Sequence, residues 1–543
     1  MRSRLIVLLV GARVIGFGAA ALMAVALPAL GQAGASYEVV AFTGQSAPGG
    51  GVYSNFGLPK LGADGTVAFI DGIDAEFGTP RVVASFFGKS RLIAQAGQAA
   101  PESGTTYDSF SAVSVAFDGR VAFNGTTNGR GFTVGIFGEN VSLALPTSFV
   151  DFGPVAFRPG NLAAIKGKQG IDTQSLTQVL GLVNSQGATT PLVDGQKLPG
   201  RMGNVLVRQI FQGSEGGTDA YDSLAGTTVD ANESGNVALK VLTTPGPSPT
   251  PFTVQNLYAG APSALKRVAT EGEPAPAMPG AYLNDLSPHP SIASDGHVAF
   301  SATIYDNSES SSTAVFAGFP GALQPIVRGG DAVPATTGVT FHDVFGPAVV
   351  NETGDVIFKA VILYPNGGTR EGIWIQRRSG GPVLIAANGV SLPTPSGNQV
   401  ATSVDFAGPG TFNDLHQFVF RASFAGGEGI YLADTRAVIP WVRVSYPRKP
   451  RDRVTKENSI TIRGTAEDDT GIAKVEYTVQ RDAKSRGKTR KKGKKVTFHK
   501  LAKGDRFWRF EVPLVMGINR ISVTATDKLG NVSEPLVLRI LRY

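Results

Sequence analysis

One six-residue phrase recurs along this chain and restricts its fold more than any other feature. It reads Asp64-Gly-Thr-Val-Ala-Phe69, Asp118-Gly-Arg-Val-Ala-Phe123, Ser234-Gly-Asn-Val-Ala-Leu239, Asp295-Gly-His-Val-Ala-Phe300 and Thr353-Gly-Asp-Val-Ile-Phe358, with a weaker copy ending in Phe418-Val-Phe420. The spacings between closing residues are 54, 116, 61, 58 and 62. The long gap is twice 58, so a degenerate copy is expected midway, where Ala163-Ala164-Ile165 fits, giving seven copies. A fixed period of this length marks an array of supersecondary units, each too small to bury its own core.

The residue four before each closing position is Gly65, Gly119, Gly235, Gly296 or Gly354, and in the degenerate copies Asn161 or His416. Asn and His are among the non-glycine residues that best tolerate positive φ, so the position is expected to be left-handed, in a tight turn feeding a strand. A calcium site at Asp-Gly is the competing reading, but the phrase lacks the run of oxygen ligands such a loop needs. Within Val-Ala-Phe the alternation is large, small, large, where a half-exposed strand would alternate apolar with polar. Both faces should therefore be buried, with Ala allowing close approach on one.

Each unit continues with a second strand (Ala314-Val-Phe316; Gly372-Ile-Trp-Ile375) and a third (Leu265-Lys-Arg-Val-Ala269; Pro325-Ile-Val327). A Gly- and Pro-bearing turn and a fourth apolar segment such as Phe345-Gly-Pro-Ala-Val-Val350 complete it. Four strands per unit is a propeller blade. Tyr37-Glu-Val-Val-Ala-Phe42 matches the third strand and Gly429-Ile-Tyr431 the second, so the terminal half-repeats can share one blade and leave no open edge. The expected fold is all-β: a seven-bladed β-propeller over residues 36–437, then an immunoglobulin-like β-sandwich over 438–543.

The phrase resembles the tandem Asn-x-x-Gly-x-x-Ala-Phe repeat of a group of bacterial secreted or surface proteins whose C-terminal anchors vary. Asn232 with Gly235, Ala238 and Leu239, and Asn351 with Gly354, Ile357 and Phe358, carry the pattern nearly whole; Gly62, Ala116 and Ala293 stand at the Asn position elsewhere. The resemblance implies export and a repeat fold without a defined activity, and it supplies no catalytic residue. No sorting tail is visible at the C-terminus.

The C-terminal segment changes pattern at Val438. Strands are expected near 438–447, 459–465, 472–480, 496–499, 507–512, 519–526 and 535–541, a sandwich signature. Gly464-Thr-Ala-Glu-Asp-Asp-Thr-Gly471 and the stretch from Gly517 to Asp527 resemble bacterial immunoglobulin-like modules, which space or bind and do not catalyse. Trp508, in an apolar strand, is expected to fill the core. Between two strands, residues 481–495 gather Arg481, Lys484, Arg486, Lys488, Arg490, Lys491, Lys492, Lys494 and Lys495 around one carboxylate, Asp482. So dense a run cannot be packed and reads as a solvated hairpin tip. Charge is unevenly divided: from Arg443 onward there are 25 Lys+Arg against 11 Asp+Glu, and before it 25 against 32. The nine cations are the candidate polyanion site, with acidic polysaccharide, lipid phosphate or extracellular DNA as the expected partner; a solvated tip with no partner is the bland alternative.

Residues 1–35 carry Arg2 and Arg4, an apolar stretch from Val14 to Leu27, and Ala33-Gly34-Ala35, the form of a cleaved signal peptide. The expected location is exported: periplasmic, cell-surface or extracellular, with no membrane span after cleavage. The chain has no Cys, so disulfides and thiolate chemistry are absent. Its five histidines (His289, His297, His342, His416, His499) show no metal spacing, and no nucleophile elbow, phosphate loop or dinucleotide fingerprint occurs. No catalytic residue, metal or cofactor is assigned. The functional expectation is a non-catalytic repeat scaffold that binds. The alternative is a polysaccharide hydrolase or lyase whose dispersed Asp, Glu, Tyr and His residues converge in the propeller channel or on one face.

Overall fold

The computed structural model describes residues 35–543 except 74–77, 101–103, 117–118, 129–130, 137–140, 144–148, 153–155, 159–161, 170–176, 185–186, 194–196, 201–202, 210–228, 233, 245–253, 307–310, 335, 379–380, 436–440, 448–453, 468–471, 483–494, 528–531 and 534. Within 131–209, and at 244, 345, 441, 467, 481–482, 495–499 and 527, it describes the backbone alone. The signal-peptide expectation and the degenerate-copy residue Asn161 lie outside the described residues. Among the described residues the chain is all-β, with no helix.

Among the described residues before 435 the strands form seven sheets of four to six strands and one small hairpin, all antiparallel and, with one exception, each built from strands close in sequence. That exception is the strand Ser36–Phe42, which pairs with Gly427–Asp434 in the register Ser36↔Asp434 to Phe42↔Gly429. The terminal half-repeats thus share one sheet. In a typical sheet, Thr340–Val350 pairs with Val356–Leu363, which pairs with Thr369–Gln376 and then Pro382–Ala387. The segment read as the fourth strand of one repeat, Phe345 to Val350, is therefore the first strand of the next sheet. The repeat and the sheet are offset by one strand, because the glycine turn is a hairpin tying that segment to the strand after it.

The left-handed position holds. φ is +90° at Gly65, +77° at Gly119, +76° at Gly235, +93° at Gly296, +80° at Gly354 and +57° at His416. Both faces of the following strand are buried: Val298, Ala299 and Phe300 are each no more than 1% exposed. The alternation sorts the side chains between two cores. Val67 and Phe69 join Val419 and Ile430 of the last sheet, while Ala68 joins Phe110, Val121 and Phe123 of the next one. Phe358 likewise packs toward Ala299 and Val315 before it, and Ile357 toward Phe418 and Phe420 after it. Large residues face the preceding sheet and the middle residue faces the following one. A fully buried Phe contributes about 2–3 kcal/mol in each such layer.

After residue 440 two sheets cover one core. Trp441–Tyr446, Ser459–Glu467 and Phe507–Pro513 form one; Val454–Thr455, Leu536–Arg542, Gly517–Asp527, Ile472–Asp482 and Lys495–Leu501 form the other. All seven expected strands appear, with Val454–Thr455 as a short addition. Trp508 is 1% exposed, in the core with Phe510, Val475 and Ile521. Gly464 is obligatory beneath it, since a Cβ there would stand 2.3 Å from the indole. No helix among the described residues is long and apolar enough to cross a membrane.

Candidate functional site

Strands of several sheets, among them Lys60–Leu61, Tyr107–Val115, Val229–Ala231, Ser291–Ile292 and Thr340–Val350, line a small cavity, and the glycine turns set its walls. In each turn the residue three before the left-handed position accepts a hydrogen bond from it and donates to the residue after it, as at Asn413, which accepts from His416 N and donates to Gln417 O. Where that first residue is Asn, its side chain braces the turn. Asn232 Oδ1 accepts from Asn236 N (2.9 Å), Asn351 Oδ1 from Asp355 N (3.0 Å) and Asn413 Oδ1 from Gln417 N (2.9 Å). Where Asn is missing, the Asp of the phrase takes over: Asp64 Oδ1 accepts from Thr66 N and Asp295 Oδ1 from His297 N. This explains why copies with Gly62 or Ala293 keep Asp-Gly. It also settles these carboxylates as turn caps; among the described residues no cluster of three or more metal-ligating side chains occurs.

The Asn amide has a second task. Asn232 Nδ2 donates to Ala293 O of the next sheet (2.8 Å), and Asn413 Nδ2 to Gly62 O (3.0 Å). Asp414 adds links, its carboxylate accepting from Glu352 N (2.7 Å) and Ser294 Oγ (3.4 Å).

Two residues before four of the turns lies a polar residue that lines the cavity, Lys60, Ser114, Asp230 or Ser291, while Val349 holds that position before Asn351. Lys60 Nζ donates to Pro409 O and Ala407 O. Asp230 Oδ2 accepts from Ile292 N (2.8 Å) and Ser291 Oγ (3.1 Å), and its Oδ1 from Ala231 N (2.9 Å). Burial pushes the Asp230 carboxyl up to about 6, against the opposing pull of its backbone donors and of Lys60. Burial likewise brings the Lys60 ammonium down to about 8, against the charge of Asp230. The cavity, lined also by Ser114, Asn351 and Phe412, measures about 120 Å³. That is room for a few waters, and well below the roughly 300–1,000 Å³ of a small-molecule pocket.

Sequence reasoning missed Lys60 and Asp230. The signal lay in counting back two residues from the turn: Lys60, Ser114, Asp230, Ser291 and Thr411 are polar there, though Val349 is not. The histidines do not converge. His297 Nδ1 lies 2.6 Å from Asp295 Oδ2 within its own turn, and His416 Nδ1 lies 3.2 Å from Asp355 Oδ2 of the preceding turn, so each pairs with a different carboxylate.

Of the candidate polyanion residues, Arg481 and Lys495 lie on adjacent paired strands, with Asp482 opposite Lys495. Lys484, Arg486, Lys488, Arg490, Lys491, Lys492 and Lys494 lie outside the described residues. The stretch therefore connects neighbouring antiparallel strands, as a hairpin tip does.

No curated protein matches this chain. Solved structures are similar to it at low identity. A puromycin-hydrolysing peptidase of Mycobacterium tuberculosis matches at 10% identity, over 72% of this chain and 61% of its own, with a TM-score of 0.27. The WD40 domain of SCAP from fission yeast matches at 9%, over 74% and 98%, with a TM-score of 0.26. A GH43_12 protein from a capybara gut metagenome matches at 11%, over 93% and 91%, with a TM-score of 0.22. Likenesses this slight say nothing about activity. Across residues 24–440 the sequence matches a family model, and the chain belongs to that family: the family of unknown function DUF7453.

Proposed function

We propose that this chain is an exported, non-catalytic binding scaffold. Residues 36–437 form a closed seven-bladed propeller of the Asn-x-x-Gly-x-x-Ala-Phe type, and residues 438–543 an immunoglobulin-like sandwich whose loop 481–495 tethers the protein to polyanions of the cell exterior. One observation carries the non-catalytic reading: the polar groups that converge on the central cavity are bonded across to the main chain of another sheet. Lys60 is held by Pro409 O and Ala407 O, Asp230 by Ile292 N, and Asn413 by Gly62 O. Groups that must act as acid or base need a substrate proton within reach. Here they serve as struts around a space too small for a sugar ring, which disfavours the central cavity as the seat of a polysaccharide hydrolase or lyase.

The ring reading is supported by the shared terminal sheet and by the core that joins Val419 of the last sheet to Phe69 of the first. The test is turnover. Purified mature protein, screened against glycans, esters and peptides, should show no saturable activity. Activity that Asp230→Asn abolishes would refute the proposal. The expected mature N-terminus is near Ser36, to be read by mass spectrometry of protein from the producing cell.

A further inference from the structure

A larger opening, which shares only Val350 with the lining of the small cavity, is a groove of about 570 Å³ between the sheet containing Val298–Asp306 and the sheet containing Val356–Leu363. Its volume falls in the usual range for ligand sites. One wall carries Phe319, which is 45% exposed at the tip joining Ser311–Gly318 to Gln324–Arg328. This ring is held in place: its centroid lies 3.9 Å from that of His297, at 35°, and His297 is fixed by Asp295. The other wall carries Gln376, Arg377 and Arg378. Arg377 is braced by Thr435 O (2.6 Å) and Gln376 Nε2 by Arg377 O (2.7 Å). Arg378 has its backbone N–H anchored on Asp355 Oδ1 (3.1 Å) and is exposed. Among the described residues no Asp or Glu lines the groove.

An exposed ring, amide side chains and a guanidinium fork converge in a cleft free of lining carboxylates. The ring offers an apolar face, the amides pair with hydroxyls, and the fork matches a carboxylate in a two-pronged bond. We propose that this groove binds an acidic oligosaccharide segment, with a uronate carboxylate on Arg378 and a sugar face on Phe319. The inference rests on the reading of the ring as a binding body, and it is independent of the basic loop.

The test uses the full mature chain with Lys488, Arg490, Lys491, Lys492, Lys494 and Lys495 changed to Ser, so that binding by the loop is removed. Tetragalacturonate affinity is measured by calorimetry for this parent and for Phe319→Ala, Arg378→Ala and Phe319→Trp made in it, with melting curves recorded for each. The parent should bind. Phe319→Ala and Arg378→Ala should each weaken binding about tenfold or more with unchanged melting, as expected for loss of a charge-assisted bond or an aromatic contact. Phe319→Trp should retain binding, and methyl-esterified tetragalacturonate should bind the parent as weakly as the free acid binds Arg378→Ala. Equal binding by the alanine variants, equal binding of the ester, tighter binding of oligothymidylate than of the uronate, or no binding by the parent would overturn the proposal. If only the chain with its native loop binds, the groove is refuted and the loop tether stands.

Discussion

The side-chain amide of Asn413 donates to the main-chain carbonyl of Gly62 at 3.0 Å, joining residues 351 positions apart. The same side chain accepts from Leu415 N and Gln417 N, so one Asn shapes its own turn and clasps the last sheet to the first. Asn351 shows the contrast: its Oδ1 caps the turn, but its buried Nδ2 has no partner.

Substituting Asn413 by Ala should therefore cost more than substituting Asn351. Losing the clasp removes one of the two donors to Gly62 O, Gly65 N–H remaining, in addition to uncapping the turn, and the lost bond is worth about 0.5–1.5 kcal/mol. Asn351→Ala loses the cap alone. Urea denaturation of both variants beside the parent measures the difference; equal midpoints would mean that the clasp contributes nothing.

The strand Ser36–Phe42 should be indispensable to solubility. It covers the edge of Gly427–Asp434, and Tyr37 Oη bonds to Ile385 O on a neighbouring sheet. A chain beginning after Phe42 would expose that edge as a template for pairing with other copies. It should elute as oligomers or aggregate, and melt lower. A truncated protein that stays monomeric with an unchanged melting temperature would count against closure by this strand.

The physical reasons for these features differ in how visible they are in the sequence. A left-handed turn residue announces itself when it is glycine: the glycine column and His416 marked the described turns of the phrase, whereas Phe87 and Ala277, also at positive φ, carried no such mark. Burial on both faces was legible in Val-Ala-Phe. The clasp was not, because it pairs a side chain with a carbonyl in the next sheet, and carbonyls carry no sequence signature. The offset of sheet against repeat was hidden for a related reason. The phrase marks the turn, and a turn belongs equally to the strands on either side of it. Lys60 and Asp230 were invisible as a pair because 170 residues separate them and only the convergence of the sheets brings their charges together. The groove at Phe319 and Arg378 depends on two loops with no shared motif.

Two shifted groups in the cavity should leave opposite marks on the pH dependence of stability. Asp230 titrates at about 6 in the folded chain, above its ordinary value. The folded state then holds a proton that the unfolded state releases, so this group's contribution falls as pH rises from about 4 to about 6, by at most about 3 kcal/mol. Lys60 titrates at about 8, below its ordinary value. The unfolded state holds the extra proton between about 8 and 10.5, so this contribution is lost as pH falls through that window. Stability curves of Asp230→Asn and Lys60→Met, each subtracted from the parent's, should show the first slope only below about pH 6 and the second only above about pH 8. Flat difference curves would mean that the two groups are as well solvated folded as unfolded.

The basic stretch between Asp482 and Lys495 should bind polyanions in a manner that depends on salt and not on sequence. Its ends sit on paired strands, Asp482 opposite Lys495, so the cations between them all belong to one connection between those strands. A polyanion that neutralises several of them releases a condensed counterion for each, and affinity then falls linearly with the logarithm of salt, with a slope of roughly 0.7–0.9 per neutralised charge. The stretch has no aromatic residue on which a base could stack, so single strands of different sequence should bind alike. The mildly acidic region before Arg443 repels the same polymers, which confines contact to this end of the chain. Heparin and DNA binding, measured from about 50 to about 200 mM salt, should weaken by orders of magnitude for the native chain. The variant with Lys488, Arg490, Lys491, Lys492, Lys494 and Lys495 changed to Ser should bind weakly at low salt and lose most of the slope. If native and variant chains bind alike, or neither binds at the lowest salt, the cations do no more than keep a hairpin tip in water.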